Sequence, residues 1–110
     1  VASKRLGIFM IGKFRFTEMI PEVCECLGTP GLDIHAAKVL KAFGKDADNE
    51  LRRYYITSSG NENVSRRIIR LLSDNCSGEN MNFLFARIWS NSREIREMVL
   101  DCLLNFLPSN

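Results

Sequence analysis

At 110 residues, with 45% hydrophobic and 25% charged side chains, the chain has the ordinary make-up of one globular domain. Fifteen basic and thirteen acidic residues leave a formal net charge of +2, too balanced for charge alone to argue for a nucleic-acid ligand. The longest apolar stretch, Leu6 to Gly12, ends at Lys13, well short of the ~20 apolar residues that a spanning helix needs.

In chain order, the first segment reads as a helix over Ser3 to Phe14. Its Ile8, Phe9, Met10, Ile11 and Phe14, followed by Phe16, are more apolar surface than one helix face requires. A second helix is expected over Thr17 to Leu27, with Met19, Ile20, Val23, Cys24 and Leu27 as its stripe. Pro21 falls in the first turn, where its missing N–H costs nothing. The loop Gly28-Thr29-Pro30-Gly31 follows, since Gly and Pro punctuate turns.

From His35 the pattern of Val39, Ala42 and Phe43 predicts a third helix. Asp46 to Ser58 gives a fourth, with Ala47, Leu51, Tyr54 and Tyr55 inward. The loop Ser59 to Asn63 then supplies capping residues. Val64 to Asp74 is the clearest helix. Val64, Ile68, Ile69, Leu71 and Leu72 fall on one face at ~100° per residue, and Arg66, Arg67 and Arg70 share the other. Glu79 to Ser90 carries Met81, Leu84, Phe85, Ile88 and Trp89. After the loop Ser90 to Glu94, the segment from Ile95 repeats the pattern with Val99, Cys102, Leu103 and Phe106.

The starts of the alternate helices, His35, Val64 and Ile95, lie 29 and 31 residues apart. Self-similarity at such a period indicates stacked helical hairpins. Ile20-Pro21-Glu22-Val23 with the Gly28–Gly31 turn and His35 to Gly44 resembles one HEAT-repeat junction. Asn63 to Leu72 resembles a second, and Glu94 to Leu103 a third, the last including the Ile95-Arg96 pair that opens such repeats. His35-Ala36 and Val64-Ser65 depart from the pattern by lacking that Arg, and the period is shorter than the ~40 to 47 residues usual for HEAT units; short bacterial-type repeats look like this. The resemblance implies an all-α fold, a right-handed α-α superhelix of about seven helices in a single domain over residues 1–110. It implies a non-catalytic scaffold for protein–protein or intramolecular packing.

A weaker likeness is to the HEAT-like arrays fused to bacterial ADP/ATP-carrier-like transporters, which implies a soluble accessory domain. A third alternative is a module that binds the nucleic-acid backbone, in the style of HEAT-like DNA glycosylases. It ranks last because no catalytic carboxylate in an aromatic pocket is visible.

Chemistry in the sequence is sparse. His35 is the only histidine and has no partner arrangement of the kind an enzyme needs. Cys24 and Cys26, two residues apart on a helix, diverge by about 200°, and structural zinc needs four converging ligands. Gly44-Lys45-Asp46 lacks the flanking glycines of a phosphate loop. We therefore expect no enzyme activity, no cofactor and no metal. We read Cys24, Cys26, Cys76 and Cys102 as reduced thiols of a cytoplasmic protein or of the cytosolic part of a membrane protein.

Partners are expected to be protein, or the rest of a longer chain, since the sequence opens on Val1 rather than Met. The candidate interaction surface is Arg52, Arg53, Tyr54 and Arg87 on the second helices, because Tyr and Arg are enriched at binding hot spots. The candidate basic strip is Arg66, Arg67 and Arg70, with a solvated face balanced by Glu62, Asp74, Glu94 and Glu97 as the simpler reading. Leu100, Leu104 and Leu107 add apolar surface outside the last helix's buried stripe. A terminal repeat should be polar there, so this face is expected to meet a further repeat or a second copy.

Overall fold

Pro21 decides how the first hairpin closes. It has no N–H to offer the Thr17 carbonyl, so an α-helix cannot run through this point with a complete ladder. In the computed structural model, which describes residues 2–58, 60–75 and 77–106, the expected helix over Thr17 to Leu27 accordingly divides. A 3-10 turn at Thr17–Met19 is followed by a short α-helix and another 3-10 turn at Cys26–Gly28. The described residues hold seven α-helices and no strand: α1 (Ala2–Lys13), α2 (Ile20–Glu25), α3 (Asp33–Phe43), α4 (Asp48–Thr57), α5 (Glu62–Ser73), α6 (Gly78–Ala86) and α7 (Arg93–Asn105). The all-α reading of the sequence holds.

Side-chain caps start the later helices. Asn61 Oδ1 accepts from the Val64 N–H at 3.3 Å, Ser77 Oγ from Asn80 at 3.1 Å, and Ser92 Oγ from Ile95 at 3.3 Å. Each satisfies a donor that the helix itself leaves free, worth ~1 kcal/mol. The helix ends are closed by backbone instead. Arg15 follows α1 with φ +54°, and the Phe16 N–H reaches the Ile11 carbonyl at 3.0 Å, the long bond of a Schellman closure. The arginine tolerates this conformation because its guanidinium is held from outside. It donates to the Ala42 carbonyl at 3.3 Å, pairs with Asp46 at 2.9 Å and lies over the Phe43 ring.

Gly44 ends α3 at φ +61°, ψ −131°, a region that side chains with a Cβ rarely enter. A Cβ placed there would meet nothing within 4 Å. The cost of Gly44→Ala is therefore conformational alone, and we expect a loss of about 2 kcal/mol in urea unfolding. Loss under 0.5 kcal/mol would show that the junction relaxes.

The helices stack in two layers. α1 packs on α3, α3 on α5 and α5 on α7, forming one layer; α2 packs on α4 in the other; α2, α4 and α6 each lie against the helix that follows. α6 joins its layer through side chains, with Phe83 edge-on to Tyr55 at 5.4 Å and Glu79 paired to Arg52 at 3.0 Å. Among the described residues, every non-local side-chain hydrogen bond spans 27 to 34 residues. That span brackets the 29- and 31-residue spacing of the helix starts, so these bonds join each hairpin to its immediate neighbour. The array is elongated, 44 × 29 × 20 Å. At Gly12, α1 comes so close to α3 that a Cβ would lie 3.1 Å from both Val39 methyls.

One apolar core runs from Ile8 to Cys102. The stripe of α5 is nearly as expected: Val64, Ile68, Ile69 and Leu72 are buried and Leu71 is half-buried. Two stripes differ. In α3 the buried residues are Ala36, Leu40 and Phe43; of the expected Val39, Ala42 and Phe43, Phe43 is inward, Val39 is half-buried and Ala42 is exposed. In α6 and the 3-10 turn Arg87–Trp89 after it, Phe85 and Trp89 are exposed, Trp89 at 79%, while Asn80 and Leu84 are fully buried.

Candidate functional site

The arginines of the second-helix layer turn inward more than their residue type predicts. Arg52 keeps only 16% of its side chain exposed. One guanidinium nitrogen donates to Asn80 Oδ1; the other donates to Asn49 Oδ1 at 2.7 Å and Glu79 Oε2 at 3.0 Å. It is a clip between α4 and α6. Arg87 lies 4.6 Å over the Phe83 ring and 5.4 Å from that of Tyr55, a cation–π arrangement inside the second layer. Tyr54 is half-buried, and burial raises its phenol pKa above the ordinary value. Arg53 is exposed and pairs with Glu50 at 3.4 Å. The structure therefore brings Arg87 to Tyr55 and Phe83 rather than to Tyr54, and Phe83 is the member that sequence reasoning missed.

The basic strip divides in the same way. Arg66 pairs with Glu94 of α7 and donates to Asn63 Oδ1 at 2.5 Å. Arg67 pairs with Asp33 of α3 at 2.8 Å. Both bridges link α5 to other helices of its layer. Such partly exposed pairs are worth ~0.2–1 kcal/mol each, so they set register more than they hold the fold. Arg70 is exposed and has no ion pair among the described residues.

The thiols show no reactive setting. Cys24 is buried and its pKa is pushed up to about 12, first by burial and then by Glu50 and Glu25. Cys26 is half-buried and raised as well, again mainly by burial. A nucleophilic cysteine needs the opposite shift. Cys102 is buried; Cys76 lies outside the described residues. Among the described residues no group of three or more His, Cys, Asp or Glu side chains is placed to hold a metal ion, and no helix is long and apolar enough to cross a membrane.

Apolar surface is concentrated at the two ends of the array. At one end α1 exposes Leu6, Phe9 and Met10, with Phe14 and Phe16 just beyond it. At the other, the α6–α7 hairpin exposes Phe85, Trp89, Leu100 and Leu104, the last at 62%. Leu100 and Leu104, four residues apart on α7, share one side of it, while Phe85 stands in the last turn of α6 and Trp89 ends the 3-10 turn that follows. Leu107, expected on the same face, lies outside the described residues. Comparison with family models, with curated proteins and with solved structures gives no match for this chain. Its function is read from this geometry.

Proposed function

We propose that the chain is a non-catalytic helical-repeat scaffold that packs against protein through its apolar ends. The observation that carries this reading is that the last hairpin, α6–α7, exposes four large apolar side chains, Phe85, Trp89, Leu100 and Leu104. Between the ends, the large apolar side chains left exposed among the described residues are Ile34 and Ile56, with Met19 in the first hairpin. A repeat array that meets only water at its end is expected to be polar there, and clustered large apolar side chains mark interaction surfaces. The matching partner is another helical surface, either a further hairpin or a second copy. The neighbour-to-neighbour span of the cross-links supports the HEAT-like reading from which this function follows.

Sedimentation of the isolated 110-residue chain tests it. We expect reversible association at micromolar to millimolar concentration. Replacing Leu100 and Leu104 together by Lys should return a 12.5 kDa monomer with unchanged helicity. Both positions are exposed, and such substitutions usually change stability by no more than ~0.5 kcal/mol each. A wild-type chain that stays monomeric at millimolar concentration overturns the reading.

A further inference from the structure

The seam between α3 and α5 carries a second surface, separate from the apolar ends and independent of the packing proposed for them. Residues four and three apart on α3, Ile34, Lys38 and Lys41, face Arg67, Arg70 and Leu71 on α5 across a groove of about 460 Å³. The apolar part of the lining comes from Ala37, Leu71 and Ile34, the last 57% exposed. Four cationic side chains line the groove against the single carboxylate of Asp74. Arg67 is already paired with Asp33. Lys38, Lys41 and Arg70 have no ion pair among the described residues.

This is a local concentration, because the whole chain carries a formal charge of only +2. The seam also continues in both directions. Toward the α5 N-terminus it joins a groove of about 380 Å³ that shares Arg67 and Arg70 and adds Arg66. Toward the α3 C-terminus it joins one of about 250 Å³ that shares Lys41 and Asp74 and adds Lys45. From Ile34 to Lys41 the helix rises ~10 Å, the length of about three extended residues or two helical turns.

We propose that this seam docks a short acidic peptide segment, with one apolar side chain seated against Ile34, Ala37 and Leu71 and flanking carboxylates paired to Lys38, Lys41 and Arg70. Charge complementarity selects the acidic class. The apolar floor selects a peptide over a nucleic acid, since a phosphate backbone offers no group to cover Ile34 and Leu71. No aromatic side chain lines the groove, whereas sequence-tolerant single-strand binders rely on aromatic stacking platforms. The two bridged arginines hold the groove's shape: Arg67 ties α5 to α3, and Arg66 ties it to α7.

The test is selection from a random dodecapeptide library displayed on phage, using the intact chain as bait. Selected peptides are then measured by fluorescence anisotropy. We expect enrichment of peptides with two or more carboxylates around an apolar residue. Their affinity should fall at least tenfold in the Lys38→Glu/Lys41→Glu/Arg70→Glu variant and threefold or more in Ile34→Ala. The charge-reversed variant should in turn prefer the same peptides with Lys in place of their acids, which a merely unfolded variant could not do. Four outcomes overturn the proposal. One is a library that enriches no acidic class. Another is binding indifferent to the charge reversal. A third is a reversed variant that binds neither peptide form. The last is a 20-nucleotide single-stranded DNA that displaces the peptides and binds Ile34→Ala as well as wild type, which would assign the seam to nucleic acid. The Leu100/Leu104 double variant should bind the peptides normally, so failure here leaves the packing of the ends unaffected, and the reverse.

Discussion

Asn80→Ala will lower the unfolding free energy by about 4 kcal/mol, a large part of the ~5–15 kcal/mol that a domain of this size possesses. Asn80 is fully buried and sits where α4, α5 and α6 meet. Its amide Nδ2 is within hydrogen-bond distance of Asp48 Oδ2 at 3.0 Å, the Leu72 carbonyl at 3.2 Å and the Asn75 carbonyl at 2.9 Å. Its Oδ1 accepts from Arg52. Among the described residues no buried side-chain nitrogen or oxygen lacks a partner. Alanine would thin this network. Asp48, itself buried, would keep only the Asn75 Nδ2 donor at 2.6 Å, and the Leu72 and Asn75 carbonyls would keep only their backbone donors, the Asn75 N–H at 3.2 Å and the Ser77 N–H at 3.0 Å. A lost hydrogen bond costs ~0.5–1.5 kcal/mol, and ~1.5–3 kcal/mol where a partner is charged, as Asp48 and Arg52 are, so the losses together outweigh the lost volume. The Asn80 backbone N–H still reaches Ser77 Oγ, so the α6 cap survives and does not confuse the result. Asn80→Asp sharpens the test. It keeps the shape but sets a carboxylate against Asp48, and like charges raise a carboxyl's pKa. The folded chain then binds more protons than the unfolded one, so this variant should gain stability as pH falls through the raised pKa. Urea unfolding at neutral and mildly acid pH reads both effects. A loss below 1 kcal/mol for Asn80→Ala would mean that the network merely decorates the junction.

Asn80 also shows where sequence reading stops. Helix existence was legible because two independent signals agreed: apolar residues recurred with a helical period, and Asn or Ser stood ahead of the later helices. For α5 both signals agree, and Val64, Ile68, Ile69 and Leu72 are buried as read. Phase was harder. In α3, Ala36, Ala37, Val39, Leu40, Ala42 and Phe43 are apolar almost all round the helix, so periodicity alone does not choose a face. Packing chooses it: with α1, α2 and α5 all against α3, Ala36, Leu40 and Phe43 are buried, while Val39, beside Gly12 of α1, is half-buried. In α6 the large apolar residues again surround the axis. Only the Leu84 side faces the array, and Asn80, one turn earlier, is carried in with it.

The interaction residues were legible by type and not by commitment. Arg52 and Arg87 read as part of an interaction surface, and Arg66 and Arg67 as a basic strip or a solvated face. Arg52, Arg66 and Arg67 reach carboxylates or amides 27 to 34 residues away, and Arg87 stacks on Tyr55 and Phe83. A signal was present for the pairs: helix starts 29 and 31 residues apart place side chains about that far apart on adjacent hairpins, and Arg66 and Glu94, 28 residues apart, lie close to that spacing. Turning it into a contact requires the stacking register, which periodicity along one helix does not contain. Leu100 and Leu104 needed no register. Their excess over one buried stripe was visible directly, and they are exposed.

Ile68→Ala will cost about 3–4 kcal/mol, and the loss will spread through the array rather than stay in one helix. Ile68 is fully buried on α5, the helix that packs on α3, α4, α6 and α7. Truncating a buried Ile removes transfer energy and leaves a cavity, together ~2–5 kcal/mol. The comparison that gives this meaning is Ile8→Ala. Ile8 is also buried, but α1 packs chiefly on α3. In a stack where each unit is bonded only to its neighbours, stability is close to a sum of local and nearest-neighbour terms, so an end unit opens at lower cost than the middle. Native-state hydrogen exchange separates the two cases. Ile68→Ala should reduce protection in α3, α5 and α7 together, by the same free energy that urea unfolding reports. Ile8→Ala should reduce it across α1 and leave α7 unchanged. Equal loss at α1 and α7 in the Ile8 variant would show a single all-or-none unit. The neighbour-to-neighbour span of the cross-links would then describe contacts without describing how stability is transmitted.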